Sequence, residues 1–437
     1  MNTYGKDGKH LIRSWAMYDW ANSVFSLTIA TAIFPIYYET VTADGQDNTV
    51  MFMGRSYVNT ALYSYALSLS FLIVALISPV LSSIADYRRN KLTFLRFFCI
   101  TGSVSCAALF LFDGSEPLTG LAIFMSATIS FTSSLVFYNA YLPEISSEAN
   151  QDRVSAKGFS YGYLGSVILL IINLLVIQKP DWFGIPDAGL ASRLAFVMVG
   201  LWWFGFAQIT FRGLAKFESA HQFHPNKPIV GLFGGYQELK KVFSQLRHLP
   251  VLRQFLLAFF FYSMGLQTIM YIATLFGSKE LHMETAALIL TVLIIQLVAI
   301  GGAQGFAYLS SKIGNIRTLI IAVIIWIGIC AGAYLTTESW QFYLLAFVVG
   351  TVMGGIQAIS RSTYAKMLPV TQDHASYFSF YDVTEKLAIV VGTVSYGLVE
   401  EFTGSMRNSA LGMMLFFGVG LIILLNLTRY SLKFWKK

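Results

Sequence analysis

Twelve separated apolar runs, nearly all long enough to cross a bilayer, leave this chain little freedom in what it can fold into. They fall at 15–38, 57–85, 93–112, 118–141, 157–178, 192–211, 254–276, 286–309, 318–336, 340–360, 376–399 and 408–428. A helix needs about 20 predominantly apolar residues to span the hydrocarbon core, and each run meets or approaches that length. The pattern predicts an all-α membrane protein with twelve transmembrane helices.

Composition agrees. Of the 437 residues, 55% are hydrophobic and 12% charged, and the mean hydropathy is +0.60. A soluble domain carries about 25% charged residues; a soluble fold of this composition would leave too much apolar surface in water. The formal charge of +7 does not point to nucleic acid, because no basic segment interleaved with aromatics accompanies it. Cys99, Cys106 and Cys330 all lie in apolar runs. That excludes a disulfide framework as the main source of stability and suits small core side chains, with Cys99 and Cys106 on one helix face. The first apolar run is too long for a signal-peptide core and has no small-residue cleavage site after it. It reads as an uncleaved first span.

The longest polar interval, 212–253, contains His221, His224, Pro225, Pro228 and the pair Lys240–Lys241. It separates an N-terminal six-helix bundle, 1–211, from a C-terminal one, 254–437, and reads as a cytoplasmic central loop. With the N-terminus in the cytoplasm, 24 of the 30 Lys and Arg residues fall on the cytoplasmic side; Arg55, Lys179, Arg193, Lys279 and Arg407 fall outside, and Lys386 within a span. This asymmetry orients a chain in a membrane and predicts a multi-pass protein of the cell membrane with both termini cytoplasmic. Trp15, Trp182, Trp340 and Trp435 sit near the expected interfaces, as an aromatic belt requires. The turns Ser82–Lys91 and Ala307–Arg317 are both short and basic, and both join the second and third spans of a half. Parallel six-span repeats about a long middle loop are an architecture of secondary transporters.

At the first of these turns, Asp86, Arg88 and Lys91 resemble the loop motif of the major facilitator superfamily, in which a glycine, an aspartate and basic residues join helices two and three. Ser82 stands where the first glycine is usual, Arg89 where a later glycine is common, and in the second-half turn Ser311 replaces the aspartate. A narrower resemblance begins at Tyr18-Asp19-Trp20-Ala21-Asn22-Ser23 and Phe34-Pro35, which are similar to the opening span of the autophagy-related vacuolar-effluxer-like branch; its bacterial members are often labelled an "unknown" major facilitator family. Tyr138-Asn139, Leu142-Pro143-Glu144, Gly158 to Gly165, Gly265, Gln267-Thr268, Gln357 and Ser360-Arg361-Ser362 extend the likeness along nearly the whole chain. The resemblance implies a major facilitator fold of two six-helix pseudo-repeats. Fungal relatives are described as amino-acid exporters of the vacuole, which implies small amphiphilic solutes. Met264 stands where the family often has an acid, so no coupling role carries over to that position. The resemblance also implies that Asp86 meets the start of helix eleven, near Ser376. A helix N-terminus has free N–H groups and about half a positive charge, which favours a carboxylate. Such a contact would close the cytoplasmic side; the alternative is that Asp86 merely neutralises Arg88 or Lys91. Ser311 lacks the charge, so a weaker second latch is expected.

Ionisable groups inside a span cost several kcal/mol unless they face a cavity or a partner. In span one, Asp19, Asn22, Ser23 and Ser26 share a face: either a cavity lining, with Asp19 taking substrate or proton, or a tie to a neighbouring helix. In span eleven, Asp382, Glu385 and Lys386 share a face, with acid before base at i,i+4; they read as a coupling or gating network, or as a static ion pair. Gln267, Thr268 and Tyr271 in span seven, Gln296 and Gln304 in span eight, Asn173 in span five and Gln357 in span ten suit a polar solute, but interhelical packing uses the same groups and is the readier role. Gly158, Gly162 and Gly165 permit close helix contact, and Arg361 occupies the place of a positive-inside anchor. All six histidines fall in loops or tails, so a histidine proton relay or an intramembrane metal site is not expected, and the absence of a P-loop speaks against a built-in ATPase.

These features predict a secondary transporter that moves a small polar or amphiphilic solute, with amino-acid efflux implied by the resemblance and protons as candidate coupling partners. No cofactor, metal, nucleic acid or enzymatic activity is expected, and the chain is expected to work as a monomer among membrane lipids. The competing classes are a membrane-embedded lipid-modifying enzyme, disfavoured by histidine-poor spans, and a transporter-like receptor or scaffold, disfavoured by short loops.

Overall fold

The computed structural model describes residues 5–43, 49–52, 54–220 and 232–434. His221, His224, Pro225, Pro228 and Trp435 lie outside them. Among the described residues, eleven helices are long and apolar enough to cross a membrane: Lys9–Thr42, Asn59–Arg88, Lys91–Leu111, Pro117–Ile145, Glu148–Gln178, Ala188–Ser219, Pro250–Leu281, Ala287–Ile313, Asn315–Leu335, Ser339–Met367 and Met406–Thr428. The twelfth long helix, His374–Thr403, has 30 residues and occupies the place of span eleven. Its charges, Asp382, Glu385, Lys386, Glu400 and Glu401, keep it out of the apolar set. The spans are numbered one to twelve below in chain order.

The first span is not a uniform helix. It is α-helical to Val24, π-helical over Phe25–Ile33, and α-helical again over Phe34–Thr42. Pro35 has no N–H to give, so the carbonyl that a π-type bond from it would use, that of Ala30, needs another donor; Tyr63 Oη supplies it at 2.7 Å. Between spans one and two the chain makes a small antiparallel hairpin, with Thr49 opposite Val58 and Phe52 opposite Arg55. The described residues of the polar interval 212–253, expected as a loop, are largely helical. Span six runs into it, span seven begins within it at Pro250, and an amphipathic helix, Leu232–Arg247, lies between them with Val242 and Leu246 buried.

The chain divides into two compact units. The first comprises Met1–Ser78, Arg89–Tyr138 and Tyr161–His224; the second comprises Pro79–Arg88, Asn139–Ser160 and Pro225–Lys437. The second unit thus takes in the end of span two and the stretch joining spans four and five, whereas the sequence cut placed all of 1–211 together.

In the first unit, spans one and five approach closely. A side chain at Gly162 would meet Ser23 Oγ at 2.5 Å, and one at Gly165 would meet the Trp20 carbonyl at 2.7 Å, so these glycines permit the contact. Trp15, expected in an interfacial belt, is instead fully buried; it stacks on Tyr138 with centroids 4.4 Å apart and donates from Nε1 to the Tyr138 carbonyl at 3.0 Å. The indole's apolar body and single donor are both satisfied inside the unit. Trp182 and Trp340 are exposed. Cys99, Cys106 and Cys330 are free thiols in the core.

Candidate functional site

In the first unit the span-one residues meet span four. Asp19 is 5% exposed, and its Oδ2 accepts from Tyr138 Oη at 2.8 Å. Asn22, one turn on, is fully buried; its Oδ1 lies 3.4 Å from Ser23 Oγ and its Nδ2 has no partner among the described residues. Ser26 donates back to the Ser23 carbonyl at 3.0 Å, one residue after the π-helical stretch begins. The expected four-residue face therefore divides: Asp19 and Asn22 point into the bundle, and Ser23 and Ser26 are half-buried.

In the second unit, span eleven carries a three-charge network joined by span seven. Lys386 Nζ lies 2.8 Å from Glu385 Oε2 and 3.3 Å from Asp382 Oδ1. Glu385 Oε1 accepts from Gln267 Nε2 at 2.9 Å. The second Asp382 oxygen, Oδ2, is buried and takes no hydrogen bond from the described residues. Gln267, read from sequence as a cavity candidate apart from the charges, is part of the same network. Tyr271, a turn further along span seven, is 40% exposed, and Gln357 is half-buried.

The turn between spans two and three brings Asp86 to the start of span eleven. That helix's own N-cap residue, Asp373, makes no capping bond; its carboxylate lies 3.2 Å from Lys241 Nζ. The free N–H groups of Ala375 and Ser376 donate instead to Asp86 Oδ1 at 3.2 Å and Oδ2 at 2.6 Å. A carboxylate delivered from another helix thus satisfies donors that every helix start leaves open. Ser83 adds a hydroxyl contact to Ser376 at 3.3 Å. Arg89 has φ +52, the left-handed conformation that glycine takes at no steric cost, which explains why a glycine is common at this place of the loop motif. Arg88 is exposed and Lys91 buried.

Ser311, the second-half counterpart of Asp86, is exposed and donates only within its own helix, to the Tyr308 carbonyl at 2.7 Å. The carboxylate stands on the opposite element: Asp152, in the first turn of span five, accepts from Ser310 at 2.6 Å and Asn315 at 2.7 Å, and pairs with Lys366 at 2.7 Å. Spans five, eight, nine and ten thus converge on one aspartate. Sequence reasoning missed it because an acid in a helix's first turn is ordinary. Arg361 is no surface anchor. It is buried, donates to Ser155 Oγ and O at 2.9 and 2.8 Å and to Asn139 Oδ1 at 3.2 Å, and lies over the Phe159 ring. Glu144 meets His374 Nδ1 at 2.7 Å, beside the Asp86 contact. The matching segments 138–144 and 360–362 had marked these residues without indicating that they meet.

Twelve long helices, a charged network inside span eleven and an aspartate turn docked on that span define a multi-pass membrane protein of the major facilitator class. The chain belongs to the family described as "Vacuole effluxer Atg22 like", which it matches over residues 7–431. It is 31% identical to an "Uncharacterized MFS-type transporter YxiO" of Bacillus subtilis, over 94% of this chain and 93% of that protein. It is 25% identical to "Autophagy-related protein 22-1" of Penicillium rubens, over 90% of this chain and 80% of that one. Among solved structures, the proton:xylose symporter XylE aligns with a TM-score of 0.71 at 12% identity, covering 96% of this chain and 95% of that one. The transporter FucP in its outward conformation aligns with a TM-score of 0.68 at 14% identity, covering 98% and 99%. The structural likenesses are likenesses of fold. Secondary transport of a small-molecule solute across a membrane is the function class of such a protein.

Proposed function

We propose that this protein moves a small polar or amphiphilic solute by alternating access, with Asp86 acting as a releasable latch. The observation that carries this reading is the bidentate cap of Asp86 on Ala375 and Ser376. It ties span two to span eleven, the helix that carries Asp382, Glu385 and Lys386, so a change at the charges has a direct route to the latch. The basic-residue asymmetry supports placing this end, and both termini, on the cytoplasmic side of a cell membrane.

Asp19 with Asn22, and Glu385 with Gln267, are the two sets of groups that offer a solute contact, each taken by itself. Both sets combine a carboxylate with an amide, which suits a ligand bearing an ammonium and further hydrogen-bonding groups, as an amino acid does. The family description of a vacuole effluxer supports efflux as the direction. Proton coupling runs through Asp19 or through Asp382, whose Oδ2 makes no hydrogen bond to the described residues. XylE is described as a proton symporter on the same fold.

The test is counterflow of radiolabelled amino acids by purified protein in liposomes. The wild type should exchange at least one of them. Asp19→Asn should lower that exchange at least tenfold while the melting temperature stays within a few degrees, and Glu385→Gln should do the same. Exchange unchanged in Asp19→Asn would leave the Asp19–Tyr138 bond as a tie between spans one and four.

A further inference from the structure

We infer that the helix Leu232–Arg247 is a docking surface for anionic phospholipid headgroups at the membrane boundary. One side of this helix is committed to the protein. Val242 and Leu246 are buried, Gln245 accepts from Tyr377 Oη at 2.9 Å, and Lys241 pairs with Asp373. At 3.6 residues per turn, Lys240, Phe243, Ser244 and Arg247 fall within an arc of about 100° on another side. All four are exposed. The arc holds two cations and no acid.

Phe243 fixes where that arc sits. Its ring is 49% exposed, and its centroid is 6.2 Å from that of Phe380 in span eleven. Phe380, half-buried, begins a stripe on span eleven that continues through Leu387, Val391, Val394 and Leu398, these four large, apolar and exposed. Their spacing of seven, four, three and four residues keeps them on one helix face, the face such a span turns to lipid. Phe243 therefore extends a lipid-facing stripe past the end of the span. The Arg247 guanidinium lies 5.0 Å from the Phe243 ring centroid, so the cation is carried at the edge of the apolar zone, where headgroup phosphates lie. A helix with an aromatic at the acyl boundary and Lys and Arg beside it is built for a negatively charged interface.

Hydrogen exchange of 232–247 in the full-length protein tests this, in nanodiscs of phosphatidylcholine alone and with phosphatidylglycerol added. Exchange in the wild type should slow severalfold when phosphatidylglycerol is present. The doubly substituted Lys240→Gln/Arg247→Gln protein should show no such slowing and should melt with the wild type, because both side chains are exposed. Lys179→Gln, on an exposed loop elsewhere, should behave as wild type. Exchange indifferent to phosphatidylglycerol would mean that the arc faces water or a soluble partner, and overturns the inference. Equal slowing by inorganic phosphate in phosphatidylcholine discs, or loss of the effect in Lys179→Gln, overturns it as well.

Discussion

Two aspartates tie helix ends together in the second unit, and they do it by different chemistry. Asp86 receives two backbone N–H groups and the partial charge of a helix start. Asp152 receives only side chains, one of them a lysine: Ser310, Asn315 and Lys366. When the Asp86 contact parts, the backbone N–H groups of a helix start and the carboxylate revert to groups that water solvates readily. When the Asp152 contact parts, Lys366, only 18% exposed, keeps just its bond to Asn315 Oδ1 at 3.0 Å. The first contact is suited to opening and closing in each cycle, and the second to holding.

The strongest way to break this comparison is to remove Asp152. Deleting one partner of a buried ion pair costs about 3–5 kcal/mol. Because Lys366 retains some exposure and one acceptor, Asp152→Ala should cost about 3 kcal/mol, read as the largest drop in melting temperature among these variants. Asp152→Ala/Lys366→Ala should recover part of the loss, since no charge is then left unpaired. If Asp152→Ala melts with the wild type, the four-span convergence is incidental and the contrast collapses.

Asp86→Asn should have a smaller effect on stability and a larger one on conformation. The amide keeps one acceptor oxygen but loses the charge, so the cost is about 1.5–2 kcal/mol, the low end of the range for a hydrogen bond to a charged group. The equilibrium should move towards separated ends. Spin labels at Arg88 and Val370, both exposed, should give one short distance in the wild type and an added longer population in Asp86→Asn. An unchanged distribution would make Asp86 a static cap.

The same pair shows how much the sequence reveals. The twelve helices follow from apolar length, even for span eleven, because within 376–399 its charges cluster at 382–386 and leave the rest apolar. Asp86 was found through its loop motif, since that motif is contiguous. Asp152 was not, because the partners that give it meaning lie 158 to 214 positions away along the chain. Gln267 was separated from Glu385 for the same reason: periodicity sorts residues onto the faces of one helix but does not say which helix a face meets. Trp15 was misplaced because a tryptophan near a span end suits a belt and a core equally. The π-helical stretch of span one has only Pro35 as a hint, and a proline alone does not specify where the extra residue goes.

Adjacent serines give the finest test. Ser310 and Ser311 are chemically identical and one residue apart, yet the helix turns them to different sides. Ser310 is buried and donates to Asp152 at 2.6 Å; Ser311 is exposed and bonds only to its own helix. Removing a hydroxyl that donates to a buried carboxylate should cost about 1.5 kcal/mol. An exposed hydroxyl bonded to a carbonyl of its own helix contributes almost nothing, and alanine has the better helix propensity, so the Ser311→Ala change should lie within about 0.5 kcal/mol of zero. Thermal melting of Ser310→Ala and Ser311→Ala side by side reads the difference directly, with size and sequence context nearly held constant. Equal losses would mean that the turn as a whole, rather than the hydroxyl on Asp152, sets the stability here. A larger loss in Ser311→Ala would return the second latch to the place that the loop motif assigns to it.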